Sequence, residues 1–87
     1  MTTADPFVEL LAAAGRRDQR AFARLYELSS ARLFGVALKM LRRRDWAEEA
    51  LQEAFVNIWQ HAADYNTTLA APLTWMTAIV RNRCLDW

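Results

Sequence analysis

Glu49, Gln52 and Glu53 stand in the stretch "DWAEEALQEAFVNIW", Asp45 to Trp59. On a helix advancing roughly 100° per residue they share one strip with Val56 and Gln60, nearly opposite a stripe of Ala47, Leu51, Ala54 and Ile58. Carboxylates and a side-chain amide at that spacing offer acceptors to cationic or N–H donors. A merely solvated face would more often interleave Lys or Arg four residues on for local pairing. Between Asp45 and Asp64 there are five acids (Asp45, Glu48, Glu49, Glu53, Asp64) and no Lys or Arg. Acid without counter-charge on its own helix suits a basic partner helix. An ordinary wet face carrying one stray Val56 is the competing reading, since isolated exposed apolar residues are common.

A second group follows. Tyr65, Asn66, Thr67 and Thr68 combine one ring with short hydrogen-bonding groups, and Trp75, Arg81, Asn82 and Arg83 come after them. An unstacked nucleic-acid base needs a face to stack on, edges to pair with and charge for its phosphates, and these residue types supply all three. The alternative makes Trp75 a core residue, Tyr65 a plug for its loop and the arginines solvated. Catalysis finds no comparable set. His61 and Cys84 lack the Asp, Asn or second His that would orient a base beside a nucleophile. The acids are not spaced with histidines as a metal site requires, and no Gly-rich loop could cradle phosphate. Cys84 reads as a small core residue and His61 as a wet helix end.

These groups must be positioned by helices. Asp5 and Pro6 read as N-cap and first helical residue, and Gly15 as the residue that stops a short first helix with Phe7, Leu10, Leu11 and Ala14 inward. A second helix opens near Asp18 and runs to about Arg43, with Phe22, Leu25, Tyr26, Leu33, Val36, Ala37, Met40 and Leu41 on its apolar face. Ser29 and Ser30 suggest a bend or break within it, because their hydroxyls compete for backbone bonds; Gly35 could add to the bend or admit a close neighbour. Asp45 is expected to cap the third helix, with Glu48 completing a capping box and Ala47, Ala50, Leu51, Ala54, Phe55, Ile58 and Ala62 inward. From Ala63 to Ala71 periodicity stops and a long loop is expected. Pro72 opens a fourth helix toward Trp87, apolar on two sides: Leu73, Met76, Val80, Cys84 and Trp87 on one, Trp75, Ala78 and Ile79 on the other.

Bulk properties agree with that layout. An 87-residue chain forms one compact domain, and a 54% hydrophobic composition with two Gly and two Pro favours helices over disorder or a sandwich. A single cysteine fits a reducing compartment, cytoplasmic by default. No apolar run reaches the length of a membrane span, and the Met1 end lacks a signal-peptide layout. The net charge of +1 hides a division: nine bases lie between Arg16 and Arg44 (Arg16, Arg17, Arg20, Arg24, Arg32, Lys39, Arg42, Arg43, Arg44) against Asp18 and Glu27. Opposite signs in separate segments suit different partners.

The order of these features is more specific than any one of them. "DWAEEALQEAFVNIWQHA", followed after a polar loop by "PLTWMTAIVRNRCLDW", resembles the region-two domain of bacterial extracytoplasmic-function sigma factors, and "AFARLYELSSARLFGVALKML" resembles the helix preceding these motifs in that family. The resemblance covers Asp5 to Trp87. It implies an all-α bundle of about four helices over residues 1–87, part of a longer chain whose region-four domain is absent here. It implies no enzyme activity and no cofactor or metal. The expected partners are the clamp helices of the largest RNA polymerase subunit, promoter DNA whose minus-ten element is taken as single-stranded non-template strand, and an anti-sigma factor, with no membrane insertion. Carried over by motif position, Glu49, Gln52 and Glu53, with Val56 in the same strip, would meet the polymerase while Leu51 and Phe55 hold the helix in the core. The loop from Tyr65 to Ala71 would match the specificity loop that takes a flipped base, and Trp75, Arg81 and Asn82 the helix behind it. Arg42, Arg43 and Arg44, together with Arg16, Arg17 and Arg20, are candidates for phosphate contacts.

Two departures bear on function. The loop "DYNTTLAA" lacks the Gly and basic residues often found there, and these 87 residues do not hold the second domain that reads a minus-thirty-five element, so either a longer chain or another source of that contact is expected. A sigma-like mimic that sequesters a regulatory protein without binding DNA is the alternative. A dimeric helix-turn-helix repressor ranks third, because no helix pair joined by a tight turn stands out.

Overall fold

The computed structural model describes residues 5–87; the expected domain's first four residues, and with them the reading of the Met1 end, lie outside the described residues. The chain is all-helical: α1 spans Pro6–Gly15, α2 Gln19–Leu41, α3 Arg44–His61 and α4 Pro72–Leu85, with a 3-10 turn at Ala62–Asp64 between α3 and the loop. No strand occurs among the described residues. α2 is the hub and packs on the other three helices, while α3 also packs on α4. At about 1.5 Å per residue its 23 residues span most of the molecule's 40 Å length.

The core is built from stripes of four-residue spacing. Ala21, Leu25, Ser29, Leu33 and Ala37 form the buried line of α2, and Met76, Val80 and Cys84 that of α4. α3 contributes Ala47, Ala50, Leu51, Ala54, Phe55 and Ile58, and α1 contributes Leu11 and Ala14. The alanines of α3 let neighbouring helices come near, while Leu25, Leu33, Ile58, Met76 and Val80 supply the volume between them, each 0% exposed.

Capping begins the first two helices as their sequence suggests. The Asp5 carboxylate accepts from the Phe7 N–H at 2.9 Å, and Asp18 accepts from Arg20 and Ala21 at 3.0 and 3.1 Å. Several local expectations are corrected. α2 is continuous through Ser29, because its hydroxyl donates to the Leu25 carbonyl one turn back at 2.6 Å and is satisfied inside the core. Gly35 faces open space and admits no neighbour. Gly15 keeps an ordinary φ and is the last residue of α1. Its role is close approach: a Cβ there would sit 2.9 Å from the Ala63 Cα, so only glycine lets the turn after α3 pack on α1. The left-handed residues that reverse the chain are Arg17, φ 68°, and Arg42, φ 60°.

Asp45 does not cap α3. Arg43 occupies that position, and its guanidinium takes both Asp45 oxygens, at 3.1 and 2.8 Å, while Glu48 pairs with Arg44 at 3.5 Å. The expected capping box therefore does not form; the acids stay in the first turns, where they still favour the helix dipole. Tyr26, expected inward, is 44% exposed, and Trp87, expected on the inner face of α4, lies past the helix end at 38%.

Candidate functional site

The outer strip of α3 is solvent-facing: Glu49, Gln52, Glu53 and Val56 are all exposed, Val56 at 54%. Beside it, α2 and α3 form an apolar cleft of about 440 Å³ lined by Gln19, Phe22, Tyr26, Gln52, Phe55, Val56 and Trp59. Edge and tilted ring contacts build its floor: Phe22 meets Trp59 at 5.0 Å and Phe55 at 6.1 Å, and Tyr26 meets Phe55 at 4.8 Å between centroids. A more polar cleft of about 350 Å³, bounded by Ser30, Phe34, Arg44 and Glu48, shares Tyr26 and Gln52 with it. The strip is thus one bank of a groove that a single-helix reading misses. Its signal in the sequence is Tyr26, which cannot share the centre of the α2 stripe with Leu25, one residue or about 100° away.

The acids of α3 find counter-charge outside the strip. Arg44 precedes it and takes Glu48, and Arg83 reaches across from α4 to Glu53 at 3.6 Å. Glu49 has no ion-pair partner among the described residues.

Much of the basic run is engaged internally. Arg43 is paired to Asp45 and lies over the Trp46 ring at 4.2 Å; its hydrogen bond holds the Asp45 carboxyl below the usual range. Arg44 lies 5.2 Å from the Phe34 ring. Arg17 sits 5.1 Å from the Trp59 ring and donates to the Trp59 carbonyl, one of the free acceptors in the last turn of α3. Arg16, Arg20 and Arg42 make no side-chain hydrogen bond or ion pair among the described residues.

The loop is held at both ends. The Tyr65 hydroxyl donates to the Ala70 carbonyl at 2.7 Å, and its half-buried ring lies 5.3 Å from that of Trp75; burial, and behind it the charge of Asp5, raises its pKa. Asn66 Oδ1 accepts from the Thr68 N–H and hydroxyl at 2.9 and 2.7 Å, and the turn leaves Leu69 82% exposed. Thr67 borders a cleft of about 320 Å³ with Val8, Ala12, Gly15, Arg16, Ala62, Ala63 and Tyr65.

Arg81 and Asn82 are not gathered with these residues. Arg81 lines a groove between α2 and α4 with Arg32, Leu73, Thr74, Thr77 and Ala78, while Asn82 faces a different cleft with Asn57, His61, Ile79, Arg83 and Asp86. Nine and ten residues into α4 from Pro72 place both roughly 14 Å along the helix from the loop end.

Tyr65→Phe is expected to lower stability by about 1 kcal/mol, the usual weight of one such bond, and the melting midpoint by about 4–8 °C. A melting curve measures this; an unchanged midpoint would mean the bond to Ala70 does not hold the loop.

His61 and Cys84 do not meet. The first pairs with Asp64 at 3.4 Å on the surface, whereas the second is buried on the inner line of α4, its pKa raised by burial. Among the described residues no group of three His, Cys, Asp or Glu could hold a metal ion, and no helix is long and apolar enough to cross a membrane.

The family model described as Sigma-70 region 2 matches residues 25–87. Curated relatives include the ECF RNA polymerase sigma factor SigK of Mycobacterium ulcerans, 32% identical over 82 residues, covering 94% of this chain and 44% of that protein. The SigK protein of Mycolicibacterium vanbaalenii is 31% identical over 77 residues, covering 88% of this chain and 39% of its own. That of Mycobacterium tuberculosis is 29% identical over 77 residues, covering 88% and 41%. The chain therefore spans less than half the length of these relatives.

Proposed function

The chain belongs to the sigma-70 region 2 family, as the region-two domain of an extracytoplasmic-function sigma factor, and from that premise we propose that it serves transcription initiation by binding core RNA polymerase and promoter DNA. The polymerase would dock on the outer strip of α3, Glu49, Gln52, Glu53 and Val56, through the basic clamp helices of its largest subunit. The observation that carries this reading is an exposed acidic strip, with Glu49 unpaired among the described residues, on the bank of an aromatic-floored groove. Charge then gives rate and register, while Val56, Tyr26 and Phe22 offer apolar area to bury.

The second half of the proposal places the minus-ten element at the Tyr65–Ala71 loop as single-stranded non-template DNA. Holding an unstacked base there favours the melted promoter by mass action, at about 1–3 kcal/mol per stacked base. No covalent step is required. Thr67 and Thr68 supply polar edges, Trp75 backs the loop, and Arg16, Arg20, Arg32, Arg42 and Arg81 are the guanidiniums available to phosphate. Arg43, Arg44 and Arg17 enter this reading only by giving up contacts they already make. Residues 1–87 are taken as one region-two unit, with the minus-thirty-five contact and any anti-sigma factor belonging to the larger assembly, in the cytoplasm where polymerase works.

Those internal commitments of the arginines favour one second reading, a sigma-like mimic that binds protein and not DNA. The deciding measurement is the affinity of the domain, bound to core RNA polymerase, for a minus-ten oligonucleotide as single strand and as duplex. The proposal expects preference for the single strand and a salt slope of about 0.7 per phosphate contacted. Polymerase binding without DNA preference would establish the mimic, and preference for duplex would favour a major-groove reader.

A further inference from the structure

Among the described residues that are buried or partly buried, Arg83 alone has a fully shielded side-chain nitrogen or oxygen without a hydrogen-bond partner, its Nε. The closest charge is the Glu53 Oε1 at 3.6 Å, too long for a hydrogen bond and short enough for an ion pair. The two side chains come from different helices, and they retain 31% and 49% of their exposure. Asp86, the residue just past the end of α4, borders the same cleft as Arg83 but makes no ion pair with it.

We infer that Arg83 is a positioning residue for the docking acid Glu53, fixing the carboxylate through Oε1 so that Oε2 is presented outward to a basic partner. The inference rests on the docking reading above and adds to it a residue that lies on the helix following the promoter loop. The physical reason is a matter of order, since a half-exposed ion pair contributes little to stability. A glutamate side chain free to rotate must lose that freedom when a partner binds; one already held by a guanidinium loses less. Arg83 is also bound to its task, because its Nε is shielded and Glu53 is its one ion-pair partner among the described residues. Docking on α3 and the orientation of α4 are thereby joined through one side chain. The same geometry makes Glu53→Lys a poor probe of docking, for it sets two positive charges side by side and disturbs the α3–α4 seam as well as the partner.

The test is a double-mutant cycle on affinity for purified core RNA polymerase, using Arg83→Ala, Glu53→Gln and the double variant, with Arg83→Lys as the conservative replacement and Glu49→Lys as the control for docking itself. Arg83→Ala is expected to weaken binding roughly three- to tenfold, within the range of contacting pairs, with no further loss in the Glu53→Gln background. Arg83→Lys should recover most of the loss, and the melting midpoints should stay close together. Equal losses from Arg83→Ala in both backgrounds would show that Arg83 acts by its own contact and overturn the inference. No loss from Arg83→Ala while Glu49→Lys weakens binding would overturn it and leave the docking reading standing. An inert Glu49→Lys would remove both.

Discussion

Glu49→Lys is expected to weaken binding to core RNA polymerase at least about tenfold while moving the melting midpoint by no more than a few degrees. Glu49 is exposed and has no ion-pair partner among the described residues, so reversing its charge removes no internal contact there. Against a basic partner helix the new lysine replaces attraction by repulsion, and about 1.4 kcal/mol is enough for a factor of ten. The deficit should shrink as salt is raised toward 1 M, where screening reaches within about 3 Å. Competition binding at two salt concentrations measures both quantities. A folded variant with unchanged affinity would place the polymerase elsewhere and return the strip to the status of an ordinary wet face.

Ile58→Ala is expected to remove about 2–5 kcal/mol of folding stability. Ile58 is 0% exposed and belongs to the same packed cluster as Leu25, Leu33, Met76 and Val80. Truncation leaves a void that the surrounding helices cannot close without disturbing those contacts. Domains have roughly 0.05–0.15 kcal/mol of stability per residue, so the loss takes a large share of the total. Urea or thermal unfolding followed by circular dichroism checks it. A loss below about 1 kcal/mol would mean that α3 repacks around the gap.

Elements governed by local chemistry were legible in the sequence. Asp5 with Pro6, and Asp18, begin their helices through bonds to N–H groups two or three residues away, and the α3 stripe follows from angular arithmetic. The outer strip of the candidate site was legible for the same reason. What escaped depends on residues far apart in the chain. Gly15 ends α1 where its sequence position suggests, but its contact with Ala63 gives no sign in the sequence; Tyr26 fits the α2 periodicity but opens onto the groove; Arg83 gives no sign in sequence that it faces Glu53. Asp45 looks like a cap, but α3 begins at Arg44, so Asp45 lies inside the first turn and its carboxylate takes the Arg43 guanidinium. The arginine run looks like charge available to DNA, whereas Trp46, Phe34 and Trp59 supply flat faces that hold three of its members. The distance from the loop to Arg81 and Asn82, by contrast, follows from the fourth helix that the sequence predicts, nine and ten residues past Pro72 at about 1.5 Å each.

Cys84 is the chain's sole cysteine, 5% exposed, with burial pushing its thiol toward the protonated form. Thiolate is the species that reacts with maleimides and iodoacetamides, so the native fold protects its own sulphur. A cysteine introduced at the surface, for instance at Thr67 or Gln60, can therefore be labelled selectively without first removing the natural one and weakening the α4 core. The fold comes already prepared for fluorescent and spin-label spectroscopy of the loop and of the α3 strip, on the same wild-type background.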